Sequence, residues 1–250
     1  MKHIIEKFKK SIITIKKFKL LLKDERVDPS TDNNYAIRWA AEYGHLEIVK
    51  LLLEDERVDS SADKNYTIRY AALNGHLEIV KLLLEDKRVD PSDENNFAIG
   101  LAAVNGHLEI VKLLLEDERV DPSDYKNYAI RWIAAQNGHL KIVKLLLNDK
   151  RVDPSDDKNY AIRWAARNGH LEIVKLLLED ERVNPSADNT NYAIRYAAEN
   201  GHLEIVKLLL EDKRFDPSGY INNVISLAAK NKHLEIVKIL SEYKNNRSIS

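Results

Sequence analysis

Seven of the eight histidines stand in one column: His45, His76, His107, His139, His170, His202 and His233, spaced 31 or 32 residues apart. Imidazole is the commonest side-chain metal ligand, so the column first suggests metal. Distance argues against it. Packed helices of neighbouring units lie about 8–10 Å apart, whereas each ligand of one zinc must reach it at about 2.0–2.1 Å. A second column pairs a cation with an aromatic: Arg38, Arg69, Arg131, Arg163 and Arg195 precede Trp39, Tyr70, Trp132, Trp164 and Tyr196. Such pairs can hold phosphate or stack on bases. Recurrence in unit after unit instead fits an inter-repeat ladder, with Asp28, Asp59, Asp90, Asp121 and Asp153 as its recurring carboxylates. No Gly-rich phosphate loop, nucleophile elbow or HExxH stands out. The reading is a non-catalytic protein with no cofactor and no metal.

These columns are positioned by a repeat. Units of 31–32 residues start at Val27, Val58, Val89, Val120, Val152, Val183 and Phe215, and a period of that size marks a stacked architecture in which neighbours bury one another's apolar faces. Each opens on a turn, DPS at Asp28, Asp90, Asp121, Asp153 and Asp216, DSS at Asp59 and NPS at Asn184. Proline presets φ there, and Asp and Ser bond to nearby backbone. An asparagine column follows, Asn34, Asn65, Asn96, Asn127, Asn159, Asn191 and Asn222. It sits where a side-chain oxygen caps a helix. A short helix is expected over Tyr35 to Glu42 with Ile37, Ala40 and Ala41 inward. Gly44 ends it in a left-handed turn. A second helix is expected over Leu46 to Asp55, burying Leu46, Val49, Leu52 and Leu53 and exposing Glu47, Lys50 and Glu54.

Ala40-Ala41, Gly44-His45-Leu46-Glu47-Ile48-Val49 and Leu51-Leu52-Leu53 make this unit resemble the ankyrin repeat over about residues 27–240. The resemblance implies a mainly α, right-handed, elongated solenoid of seven helix–turn–helix repeats. Each repeat would carry a β-hairpin, and each histidine would start the second helix and bond to backbone between units. The family's TPLH becomes Tyr35-Ala36-Ile37-Arg38 here, and its Gly-Ala-Asp becomes Asp55-Glu56-Arg57-Val58. This dialect resembles the ankyrin proteins of giant DNA viruses of amoebae (mimivirus-like), which implies host-protein interaction.

The chain carries 39 basic and 40 acidic residues, a formal charge of −1, which disfavours nucleic acid as main partner. It has no cysteine and no run of about 18 apolar residues, so a membrane partner is disfavoured. A cytoplasmic monomer (host cytoplasm if viral, with the nucleus open) is the expectation. Residues 1–26 hold nine basic against three acidic side chains, net +6, leaving −7 for the rest. Phe18 to Arg26 matches the end of a repeat, so 1–26 is read as an N-terminal capping segment. The rival is contact with an anionic surface or nucleic acid. The solenoid is expected over 27–243, and the polar residues 244–250 are expected to be disordered.

If recurring positions build the frame, recognition belongs where units differ. On the family pattern a partner meets the concave face, at hairpin tips and first-helix ends. Leu73 and Val104 are apolar where most units are polar, Gly100 and Leu101 replace arginine and the aromatic, and Tyr43 and Tyr125 add aromatics. These six are the candidate protein-binding residues. Self-association as a virion or assembly component is the alternative. The fourth unit has one extra residue near Ile133, giving either a helical bulge or a longer turn at Gln136-Asn137. The sixth has its extra residue at the tip, within 187–191. Lys232 replaces the turn glycine of the last unit, so it either adopts a costly left-handed conformation or the turn changes.

Overall fold

The computed structural model describes residues 14–124, 129–130, 138–186, 191–215 and 219–247. Fourteen helices lie among them: α1 Ile15–Leu22, α2 Thr31–Glu42, α3 Leu46–Leu53, α4 Ala62–Leu73, α5 Leu77–Glu85, α6 Asp93–Val104, α7 Leu108–Glu116, α8 Leu140–Leu147, α9 Asp156–Arg167, α10 Leu171–Glu179, α11 Tyr192–Glu199, α12 Leu203–Glu211, α13 Ile221–Lys230 and α14 Leu234–Arg247. The fold is an all-α helical-repeat solenoid. It divides into two units, Met1–Pro122 and Ser123–Ser250.

Within each unit the first helices of successive repeats pack on one another, α2 on α4 and α4 on α6, then α9 on α11 and α11 on α13. The alanine pairs make this possible: Ala40, Ala41, Ala71, Ala72, Ala165 and Ala166 are completely buried. Ile37, Ile68, Ile162 and Ile194 fill the space beneath them. The second helix buries Ile48, Val49 and Leu52, repeated as Ile79, Val80 and Leu83 and again as Ile173, Val174 and Leu177. Each is worth roughly 1.5–3 kcal/mol when fully buried, and that burial exists only against the neighbouring repeat. Leu46 and Leu53 are half-buried. The eight-residue helix turns Ile48 inward and leaves the two outer leucines at its margins. The charged stripe faces solvent, with Lys50 Nζ 2.8 Å from Glu47 Oε1.

The expected hairpin is absent: no strand occurs among the described residues. Asp32, Asn33 and Asn34 take φ/ψ of 58/45, 56/53 and 58/36, one short left-handed helical turn, before right-handed geometry starts at Tyr35. The same three-residue turn recurs at Asp63-Lys64-Asn65, Glu94-Asn95-Asn96 and Asp157-Lys158-Asn159. With the chain curled this way no extended backbone is left to pair. Left-handed geometry costs non-glycine residues roughly 1–2 kcal/mol each, least for Asn and Asp, so these tips must be held by other bonds. The opening Asp-Pro-Ser turn behaves as its composition predicts: Asp28 Oδ1 accepts from the Ser30 backbone N–H at 2.9 Å and from its hydroxyl at 2.7 Å.

The asparagine column does not cap the helix that follows. The Asn34 side chain is buried, and its Oδ1 accepts the backbone N–H of Asp59 in the next repeat at 2.8 Å. Asn65, Asn96 and Asn159 do the same for Asp90, Asp121 and Asn184. An asparagine already in the left-handed region has its amide aimed along the stack, not at the helix start.

At the far end of the first helix the His76 N–H closes on Ala71 O at 2.9 Å through a left-handed Gly75, φ +78. A Cβ on Gly75 would lie 2.6 Å from Cε1 of His107 in the next repeat. Two constraints therefore meet at this glycine, conformation and close approach. In the last repeat Lys232 takes the left-handed conformation, φ 64, and the closure survives, His233 N–H to Ala228 O at 2.9 Å.

Of the N-terminal segment, α1 is described: Thr14 caps it through Lys17 N at 3.4 Å, and Phe18 is completely buried. The basic residues before Thr14, Tyr125 and the insertion at Ile133 lie outside the described residues. At the other end α14 runs on to Arg247, four residues beyond Tyr243 and into the segment expected to be disordered.

Candidate protein-binding edge of the first helices

The chemistry-bearing columns are spent on the stack itself. His76 Nε2–H donates to Glu42 O of the preceding repeat at 3.0 Å, and His107, His202 and His233 reach Leu73 O, Arg167 O and Glu199 O at 2.9, 2.9 and 3.1 Å. These carbonyls belong to the ends of the first helices, which have no intrahelical partner of their own. Burial, and after it the neighbouring His76, hold His45 below its ordinary pKa.

The first-helix arginines do not pair with Asp28 and its equivalents, whose carboxylates are engaged by the serine two residues on. They hold the left-handed tips. Arg38 Nε donates to Asn33 O at 2.9 Å and its Nη1 to Asp63 Oδ2 of the next repeat at 2.6 Å. Arg69 and Arg163 reach Asp63 O and Asp157 O at 3.0 and 2.7 Å. The strained turn is thus braced by charge-assisted bonds, the strong kind.

A third column went unremarked in the sequence because it lies at a repeat junction. Arg57, Arg88, Arg119, Arg151, Arg182 and Arg214 each fork onto the aspartate two residues earlier, as Arg119 does onto Asp117 at 2.9 and 2.6 Å. Most also reach back one repeat. Arg119 donates to Val89 O at 2.9 Å and Leu84 O at 3.3 Å, and Arg214 to Val183 O at 2.7 Å and Leu178 O at 2.6 Å. The hydrogen bond from Arg119 holds the Asp117 carboxyl below the usual range. The unvarying Asp-x-Arg spacing was the signal that could have found it.

The candidate binding residues sit along the exposed margin of the first helices. Tyr43 is 58% exposed and leans on Trp39 at 5.7 Å between ring centroids. Leu73, Leu101 and Val104 are half-buried on the adjacent helices α4 and α6. Gly100 is buried, so it bears on this margin by lacking a side chain and offers no surface itself. In the repeat before, Tyr66 donates its hydroxyl to Glu42 Oε2 at 2.9 Å and stacks on Tyr70 at 3.8 Å. Burial and that carboxylate push the Tyr66 hydroxyl above its ordinary pKa.

A model of ankyrin repeats in three copies matches residues 13–95, 38–126, 68–156, 131–220 and 162–249, together nearly the whole chain. The chain belongs to the ankyrin-repeat family. No curated protein matches it. Ankyrin repeats generally mediate protein–protein interaction and are typically non-catalytic scaffolds. This ankyrin chain has no helix, among its described residues, long and apolar enough to cross a membrane.

Charge divides the ankyrin repeats unequally. Residues 27–122 hold 10 basic and 20 acidic side chains, net −10, while 123–250 hold 20 and 17, net +3. The apolar candidates Leu73, Leu101 and Val104 therefore lie in a strongly acidic stretch.

Proposed function

We propose that the chain is a non-catalytic scaffold that binds a partner protein along the first-helix margin marked by Tyr43, Leu73, Leu101 and Val104, with Gly100 beneath it. The supporting observation is an asymmetry of use. The histidines, the buried asparagines and the arginines of the Asp-x-Arg forks bond repeat to repeat, whereas Leu73 and Val104 keep apolar side chains half-buried where other repeats carry Glu, Gln, Arg or Lys. Half-buried apolar side chains beside an exposed tyrosine are what an interface core requires. The resemblance of the repeat to ankyrin proteins of giant DNA viruses of amoebae supports a host protein as that partner, which makes amoebal lysate the first place to look.

The test compares the full chain with a Leu73→Asp/Val104→Asp variant in affinity capture, followed by binding of the purified partner. The variant is expected to melt within a few degrees of the parent and to bind at least tenfold more weakly, about 1.4 kcal/mol. Undiminished binding by a folded variant would place the interface elsewhere. Self-association at micromolar concentration, lost in the same variant, would make the partner a second copy.

A further inference from the structure

Two arginines of the fifth and sixth repeats, Arg167 and Arg195, are used differently from Arg38, which stacks on Tyr66 at 5.1 Å but also pairs with Asp63. Arg167 lies over Trp164 at 4.4 Å and over Tyr196 at 5.2 Å, measured from the guanidinium carbon to the ring centroid. Arg195 lies over Tyr192 at 4.9 Å and over Tyr196 at 5.7 Å. One ring thus carries two cations, both inside the range of about 6 Å where such stacking is favourable. Neither guanidinium has a carboxylate within ion-pair distance among the described residues, and Arg195 Nε is buried without an acceptor. Glu199, one turn beyond Arg195 on α11, makes no ion pair there. The repeat register explains why Arg195 is left over. Arg38 takes its carboxylate from Asp63 at the next repeat's tip, 25 residues on. The corresponding position for Arg195 is Tyr220, 40% exposed and unable to supply one.

We propose that Arg167 and Arg195, seated on Trp164, Tyr192 and Tyr196, bind an acidic segment of a partner protein. The proposal deepens the reading of the chain as a protein-binding scaffold and rests on it. Rings beneath the guanidinium groups fix their planes and exclude water from one side. Both arginines are half-buried, and their terminal Nη groups are then what meets carboxylates, which guanidinium matches in fork geometry. The net charge of +3 over residues 123–250 attracts such a segment without making the surface a general polyanion trap. A nucleic acid, with its continuous run of phosphates, would also meet Asp156 and Asp157 at the adjoining tip.

The experiment is fluorescence anisotropy with the full chain and three labelled probes: a short peptide alternating glutamate and serine, its glutamine counterpart, and an oligo(dT) of matching length. The acidic peptide should bind with marked salt dependence, and the glutamine peptide should not. Arg167→Ala/Arg195→Ala should weaken the acidic peptide by about tenfold or more. Lys141→Ala/Lys144→Ala, which removes exposed lysines on α8, should change it less than about twofold. Equal binding of the two peptides, or an arginine double variant that still binds the acidic peptide normally, would each overturn the proposal. So would tighter, arginine-dependent binding of the oligo(dT), which would make the surface a nucleic-acid site. Leu73→Asp/Val104→Asp should leave the acidic peptide unaffected. Loss of this inference and loss of the apolar margin therefore read out separately.

Discussion

The margin of repeats two and three and the margin of repeats five and six start from the same template and end in opposite chemistries. In the first, the arginine and aromatic of the template give way to Gly100 and Leu101, and the helix ends carry Leu73 and Val104. In the second, arginine is retained at Arg163 and Arg195 and added at Arg167, over a platform of Trp164, Tyr192 and Tyr196. Beneath both runs one frame: alanine contacts, buried asparagines, histidine-to-carbonyl bonds and Asp-x-Arg forks. The difference teaches that this fold separates holding from recognising. Most side chains that recur hold the repeats together, while those whose type changes, as at Gly100 and Leu101, or whose carboxylate partner is missing, as at Arg195, are left for recognition.

The hardest test of that comparison is the shared frame. Asn65→Ala and Asn159→Ala each leave a buried backbone N–H without its acceptor, costing about 1–3 kcal/mol. They also put alanine in the left-handed region at about 1–2 kcal/mol more. Each should lose about 3 kcal/mol in urea denaturation, and a marked difference between the two would mean the halves do not share one frame. Next comes the contrast between a braced arginine and a spare one. Arg38→Ala breaks bonds to Asn33 O and Asp63 and should cost about 1–2 kcal/mol. Arg195→Ala forfeits only ring stacking and should cost about half as much. Equal losses would erase the distinction between holding and recognising arginines.

A smaller effect, opposite in sign, is expected at Lys232. It occupies the left-handed position that glycine fills elsewhere, so Lys232→Gly should stabilise the last repeat by about 1 kcal/mol, read as a raised melting temperature. The smallest is acid sensitivity of the forks. Asp117 and Asp180 are held below the ordinary value of 3.8 by bonds from Arg119 and Arg182, and Asp24 is held at about 2 by Arg26. A carboxyl depressed in the folded state contributes stability that is present above about pH 4 and lost as pH falls through its folded pKa. Melting temperature should therefore drop between about pH 4 and pH 2, and Asp117→Asn should make that drop shallower. An identical acid profile in the variant would remove the forks from the frame.

Much of this was legible in the chain. Period, alanine pairs and the Gly-His-Leu run specify helix, turn and helix, because helical spacing and a left-handed glycine leave little choice locally. The histidine column could be read as structural from distance alone, and the apolar departures at Leu73 and Val104 stood out against their own repeats. The asparagine column was misassigned because its partners lie in the next repeat, 25 residues away, while local rules see only the neighbouring backbone. The first-helix arginines were misassigned for the opposite reason: the recurring aspartates are taken by their own serines, and Arg38, Arg69 and Arg163 turn to tip carbonyls five or six residues back.

By itself, then, the sequence determined the repeat, its register and the inward face of each first helix, since these follow from periodicity and side-chain size. Only the tertiary structure decided that the tips curl left-handed, and that Asn34 reaches Asp59 and not its own helix. It also decided that Arg195 is left without the carboxylate Arg38 has. Each of those depends on where the next repeat places a backbone N–H or a charge, and that position exists only once the stack has formed.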